Sequence, residues 1–359
     1  MTFHTPFSAA PAMLAPRSRR GLAALALAAL LGVPGMALAQ QAAATTGQVF
    51  TADEHGNSVS RVDLASGEVT TVPLPVTPHN VQVTPDMKQL LLVGSPVEAG
   101  HGDGGGHGDS ANAGRLLVLD PLALDAAPVE IEIGSHPAHV VTDREGKRAF
   151  ASNAGDDTIS VVDLATRAVT PIPAGDYPHG LRLSPDGRYL LVANVEGGDV
   201  SLFDTATLAE AARIPVGAAP VQVAFLPDGS RAYVSLRDED AVAVIDLATR
   251  EVTARIPVGD GPIQLYATPD GGKVFVANQG TETAPSDEVS VIDVAGNAVI
   301  ATVKAGMGAH GVVVSTDGAL AFVTNVNDGT LSVIDTASNE VVATHKVGAG
   351  PNGVTYMAR

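Results

Sequence analysis

Seven copies of one short phrase, a β-run ending in aspartate, constrain this chain more than any other feature. They are Val59–Asp63, Leu116–Asp120, Ile159–Asp163, Val200–Asp204, Val242–Asp246, Val289–Asp293 and Leu331–Asp335. Successive aspartates stand 57, 43, 41, 42, 47 and 42 residues apart. A period near forty in β-branched runs is the signature of a closed array of four-stranded blades. The expected fold is all-β: a seven-bladed propeller of antiparallel four-stranded blades.

A second phrase precedes each copy by about half a repeat, as in Ser184-Pro-Asp-Gly187, Leu226-Pro-Asp-Gly229 and Thr268-Pro-Asp-Gly271. Pro presets φ, Asp bonds its own backbone and Gly takes the positive φ that closes a hairpin. The strand-end aspartates are followed by phrases such as Leu-Ala-Thr166 and read as Asx-turn residues, not as catalytic carboxylates. Each repeat reads as strands A to D from the channel outward. The C-terminal run 351–357 is a lone strand A, and the runs 48–52, 58–63 and 68–74 supply only B, C and D. Joined, they complete the seventh blade and remove the open edges of the array.

Residues 1–39 read as an export signal: Arg17, Arg19 and Arg20, an Ala/Leu run from Gly21 to Val33, and a small-residue cleavage site at Ala37–Ala39. Ser18–Leu22 resembles a twin-arginine signal, departing from it at Ala23 and Ala24. Residues 40–46 are then a short linker and 47–359 one propeller domain, located in the periplasm or secreted and expected to be monomeric. No later run is apolar enough to span a membrane. Loss of three arginines and no acids takes the net charge from −18 to −21, which disfavours nucleic acid and anionic lipid. With no cysteine, a disulfide, a covalently attached c-type haem and a thiolate metal site are not expected, and no phosphate loop points to a nucleotide.

The repeats resemble the YVTN family of seven-bladed propellers. Asn325–Asp335, Tyr177-Pro-His-Gly180 and Ser184-Pro-Asp-Gly187 carry the resemblance, which spans about residues 47–359. It implies the fold. For function it implies only a range, from exported binding proteins to lactonases and metal-handling propellers.

The histidines gather on one face. D-to-A and B-to-C loops emerge together, and His55, His79, His101, His107, His136, His139, His179 and His310 lie in them or at the first residues of strand A, with His345 late in a strand D. Ring closure brings His79, His139, His179 and His310 to one channel mouth, where imidazoles from several blades can share a divalent cation. The first blade carries a glycine-rich insertion at 95–113 with His101-Gly-Asp103 and His107-Gly-Asp109, a second set of borderline and hard ligands over the same mouth. In blade five, the 279–287 loop adds Glu282 and Asp287.

These observations favour a periplasmic propeller that binds Zn²⁺ first or Cu²⁺ second, resembling periplasmic zinc-chaperone propellers in its arrangement of histidines and handing its ion to a periplasmic transporter component. One alternative is a lactonase- or lyase-like enzyme with His79, His179 or His310 as base beside Arg182, Gln222 or Gln264. The other is an interaction platform without chemistry.

Overall fold

The structure, a computed structural model, describes residues 46–97 and 113–359. They form a seven-bladed β-propeller of four-stranded antiparallel sheets. Blades one to six run in chain order from Val76, Pro137, Pro178, Pro220, Pro262 and Ala309. The closing blade joins Pro351–Ala358 to Gly47–Asp53, Ser58–Asp63 and Val69–Pro73. Gly47–Asp53 pairs antiparallel with the C-terminal strand, Val49 opposite Tyr356 and Thr51 opposite Val354. The expected signal at 1–39, most of the linker and residues 98–112, with His101, Asp103, His107 and Asp109, lie outside the described residues.

The middle strands of each blade are near-continuous apolar runs because both of their faces are covered by neighbouring blades. Leu191, Val200 and Ile214 of blade three, for instance, pack on Val223, Val234 and Ile245 of blade four. Outermost strands alternate instead, as in Glu251–Pro257, which leaves Glu251, Thr253 and Arg255 exposed to blunt the outer edge.

The strand-end aspartates do the turn chemistry their phrases suggest. Asp63, Asp163, Asp204, Asp246 and Asp335 each accept the backbone N–H groups two and three residues on. Those bonds hold all five carboxyls below their usual range. Asp120 and Asp293 accept from Leu122 and Gly296.

A second repeated device ties strand B to strand C. Asn153, Asn194, Asn278 and Asn325 donate from Nδ2 to Ser160, Ser201, Ser290 and Ser332, each at 2.9 Å. In the closing blade an aspartate stands in this place. Asp53 is fully buried and accepts from Ser60 and Thr51 at 2.6 Å and Ser58 at 3.1 Å. Burial pushes its carboxyl up to about 6, against the pull of those hydroxyls.

Candidate histidine site at the channel mouth

His79, His139, His179 and His310 sit on the innermost strands of blades one, two, three and six. The channel is narrow enough for them to meet. Ring centroids are 5.0 Å apart for His139–His179, 5.3 Å for His79–His179, 6.0 Å for His79–His139 and 6.5 Å for His79–His310. One nitrogen each from His79, His139 and His179 fall within 4.8 Å of one another. A cavity of about 210 Å³ opens above them, lined by Glu54, Thr77, His79, His136, Tyr177 and His179 among others.

Hydrogen-bond partners fix the tautomers. Gln222 Oε1 accepts the Val223 N–H at 2.8 Å, so its Nε2 faces His139 Nδ1 at 3.2 Å and donates to it. His139 therefore keeps its proton on Nε2, a buried atom with no hydrogen-bond partner. His179 donates from Nδ1 to the Val221 carbonyl at 3.2 Å, and His310 from Nδ1 to the Asn352 carbonyl at 3.3 Å. Both rings thereby present a lone pair on Nε2. His79 Nε2 lies 3.3 Å from His179 Nε2 and donates to it. On its other side, His79 Nδ1 is 3.1 Å from Asn352 Nδ2 and 3.4 Å from Glu54 Oε2, and Asn352 Nδ2 also donates to Glu54.

The electrostatics follow from this packing. Burial, then neighbouring imidazoles, hold His139 well below the usual imidazole range; the same causes bring His179 down to about 3 and His310 to about 4. Burial alone would raise Glu54. The His79 hydrogen bond and charge, with the Asn352 bond, outweigh it and bring Glu54 down to about 2. The mouth thus holds three imidazoles kept neutral by burial, those of His139, His179 and His310, beside the Glu54 anion.

Strand phase brought the four histidines together as the repeat alignment implies. Glu54, which the sequence does not single out among its many acids, occupies the B-to-C turn of the closing blade, next to His55. His345 lies on the outermost strand of blade six beside Gly67 and is not part of the mouth. Asp287 is bound to Lys304 at 2.6 Å.

The rim carries strain. The residue before strand A has positive φ in six blades, five of them opening on proline and the sixth on Ala309: His136 (47°), Tyr177 (56°), Ala219 (47°), Gly261 (58°), Gly308 (73°) and Gly350 (61°). A side chain there is disfavoured, more so before proline. His136 and Tyr177 accept that cost and both line the cavity. Tyr177→Gly is expected to raise stability by about 0.5 to 1 kcal/mol while widening the rim. A urea midpoint that falls instead would mean that Tyr177 packing outweighs the backbone strain.

Comparison with known proteins bears on what the mouth holds. The Cytochrome D1 heme domain family matches residues 135–279, a stretch under half the chain that contains His139 and His179. No curated protein sequence matches. Among solved structures, the periplasmic gluconolactonase PpgL of Pseudomonas aeruginosa is 18% identical at a TM-score of 0.68, covering 88% of this chain and 99% of that one. A putative 6-phosphogluconolactonase from Bacteroides fragilis is 16% identical at 0.70, covering 87% and 98%. The dihydro-heme d1 dehydrogenase NirN in complex with DHE is 16% identical at 0.60, covering 86% and 75%. At these identities the structures show a common fold.

The expectation of Zn²⁺ or Cu²⁺ is corrected by these findings, since the family model that matches residues 135–279 is a heme domain and not a zinc or copper one. The tautomers give a physical reason. A three-histidine metal site needs three lone pairs. Gln222 occupies the one on His139, and the His79 Nε2 proton is directed at His179.

Proposed function

We propose that the histidine mouth binds an iron tetrapyrrole of the heme d1 kind, which His179 would hold, in an exported propeller of YVTN type. The observation that carries this reading is the His179 lone pair. His179 lines the cavity, its ring is fixed by an Nδ1–H bond to the Val221 carbonyl, the arrangement that orients metal-ligating imidazoles, and its Nε2 lone pair would exchange the His79 proton for the iron. The residues present fit the group at that point. The orphaned Nε2–H of buried His139 would donate to a ligand atom, and Glu54 with Asn352 would hold His79 in place. The cavity of about 210 Å³ is smaller than a typical enclosed ligand site and would take in only part of such a group. Bound there, the group would supply a redox-active metal centre.

Hemin and heme d1 titrated into purified protein should each give a saturable Soret shift. His179→Ala should weaken binding by at least ~100-fold, since even the groups that merely orient a ligand contribute 10- to 100-fold. Binding that is absent in wild type, or unchanged in His179→Ala, would rule the reading out.

A second reading is supported by Glu54 and His79. A carboxylate behind an imidazole is the arrangement of a general base, which here would need the His79 tautomer with its proton on Nδ1, and the pair lines the cavity of about 210 Å³. Lactone hydrolysis that disappears in Glu54→Gln and His79→Ala, without any tetrapyrrole binding, would select it. Export to the periplasm is supported by the basic and apolar pattern of residues 17–39 and by the periplasmic gluconolactonase among the structural neighbours. Among the described residues no helix is long and apolar enough to cross a membrane.

A further inference from the structure

The opposite mouth of the channel carries a site of its own. Strands A, aligned on Pro78, Pro137, Pro178, Pro220, Pro262, Ala309 and Pro351, place Gln82, Val141, Arg182, Ala224, Tyr266, Val313 and Thr355 at one level near the A-to-B turns. Arg182 is the one charged residue of that ring. It donates from one Nη to the Leu181 carbonyl at 3.2 Å and stands 5.7 Å over the Tyr266 ring. No carboxylate among the described residues pairs with it. The nearby turn aspartates face their own turns, Asp186 accepting from Ser184 and Arg188, and Asp270 from Thr268 and Gly272. The Tyr266 hydroxyl bonds to no described residue.

Arg182 is partly accessible and lines a cavity of about 390 Å³, with Leu183, Phe225, Tyr266 and the turn prolines Pro227 and Pro269 among its walls. Desolvation by the surrounding protein lowers the guanidinium pKa while leaving it a cation at neutral pH. In a chain of net charge −18, a partly buried cation without a counter-charge is costly unless something anionic visits it. The volume is that of a small-ligand site, mostly apolar with a few convergent polar groups.

We propose that this second mouth binds a small organic carboxylate with an apolar body. The carboxylate would bridge the unspent Arg182 donors and the Tyr266 hydroxyl, and its body would lie against Phe225, Leu183 and the prolines. Planar guanidinium–carboxylate pairing favours this over a compact inorganic anion that leaves the apolar walls wet.

Isothermal titration with benzoate tests it, with benzamide and inorganic phosphate as comparison probes. Benzoate should bind one to one, with benzamide and phosphate weaker by at least ~10-fold, as a charge-assisted pair in an apolar pocket requires. Arg182→Met should lose benzoate binding, and Tyr266→Phe, which removes one oxygen and keeps the ring, should weaken it by a few-fold with unchanged thermal unfolding. Absence of benzoate binding, equal binding of phosphate, or wild-type affinity in both variants would overturn the assignment. Loss of benzoate binding in His179→Ala would move the ligand to the histidine mouth and overturn it equally.

Discussion

Deleting residues 351–359 is expected to abolish cooperative folding. The segment is the innermost strand of the closing blade, and its partner Gly47–Asp53 comes from the other end of the chain. Val354 and Met357 are buried in inter-blade clusters. Removing a side chain of that size from a core costs about 2 to 5 kcal/mol, and two are lost together. The backbone groups of Gly47–Asp53 that face this strand lose their partners, and so does the His310 imidazole that donates to the Asn352 carbonyl. The sum reaches the whole of a domain's usual stability of about 5 to 15 kcal/mol. Circular dichroism melting with size-exclusion chromatography checks this. A truncated chain that still melts in one sharp transition near the wild-type temperature would mean that six blades hold without closure.

The ring closure was legible because strand phase is a local property. A lone strand A at the end and B, C and D at the start can be read from runs and turns without any long-range information. The seven turn aspartates were legible for the same reason, since an Asx-turn involves only the next three residues. The histidine cluster was half legible. Aligning the repeats on one proline puts His79, His179 and His310 at one position and His139 one residue later. Whether they touch depends on channel width, which the sum of seven blade packings sets and no single repeat encodes. Tautomers were beyond reach, because His179 and His310 are oriented by backbone carbonyls of Val221 and Asn352 on the following blades. Backbone acceptors leave no trace in side-chain identity. The choice of metal failed at this step, since counting imidazoles says nothing about which nitrogen carries the proton. Asp53 was hidden differently. It reads as one more acid, and only its place among the strand-end asparagines of other blades marks it as a charged group in a neutral position.

Between pH 6.5 and 4.5 the folded protein should lose stability steeply, and Asp53→Asn should make the loss steeper still. His139, His179 and His310 are held neutral by burial, with His179 at about 3 and His310 at about 4, whereas an unfolded histidine titrates near 6.5. Below 6.5 the unfolded chain therefore binds up to about three more protons than the folded one, and stability falls with pH at about 1.4 kcal/mol per proton per unit. Asp53 has the opposite sign. Its folded pKa of about 6 lies above the unfolded value, so the folded state is the one that takes up a proton as pH falls from 6 towards 4. Wild type should thus lose stability with a net slope near two protons, and Asp53→Asn with a slope near three. At pH 7 the variant should be more stable by roughly 2 to 3 kcal/mol, because it removes a buried charge and restores the side chain found in blades two, three, five and six. The two curves should converge near pH 4, where Asp53 is protonated in either state. The window isolates these groups, because Glu54 and the turn aspartates have lowered pKa values and contribute only from about 4.5 downward. Urea denaturation of both proteins at half-unit steps from pH 4 to 8 measures it. A wild-type midpoint that stays flat from 6.5 to 4.5 would mean that the mouth imidazoles take up protons without unfolding, and that the neutral cluster at the centre of the site does not exist in solution.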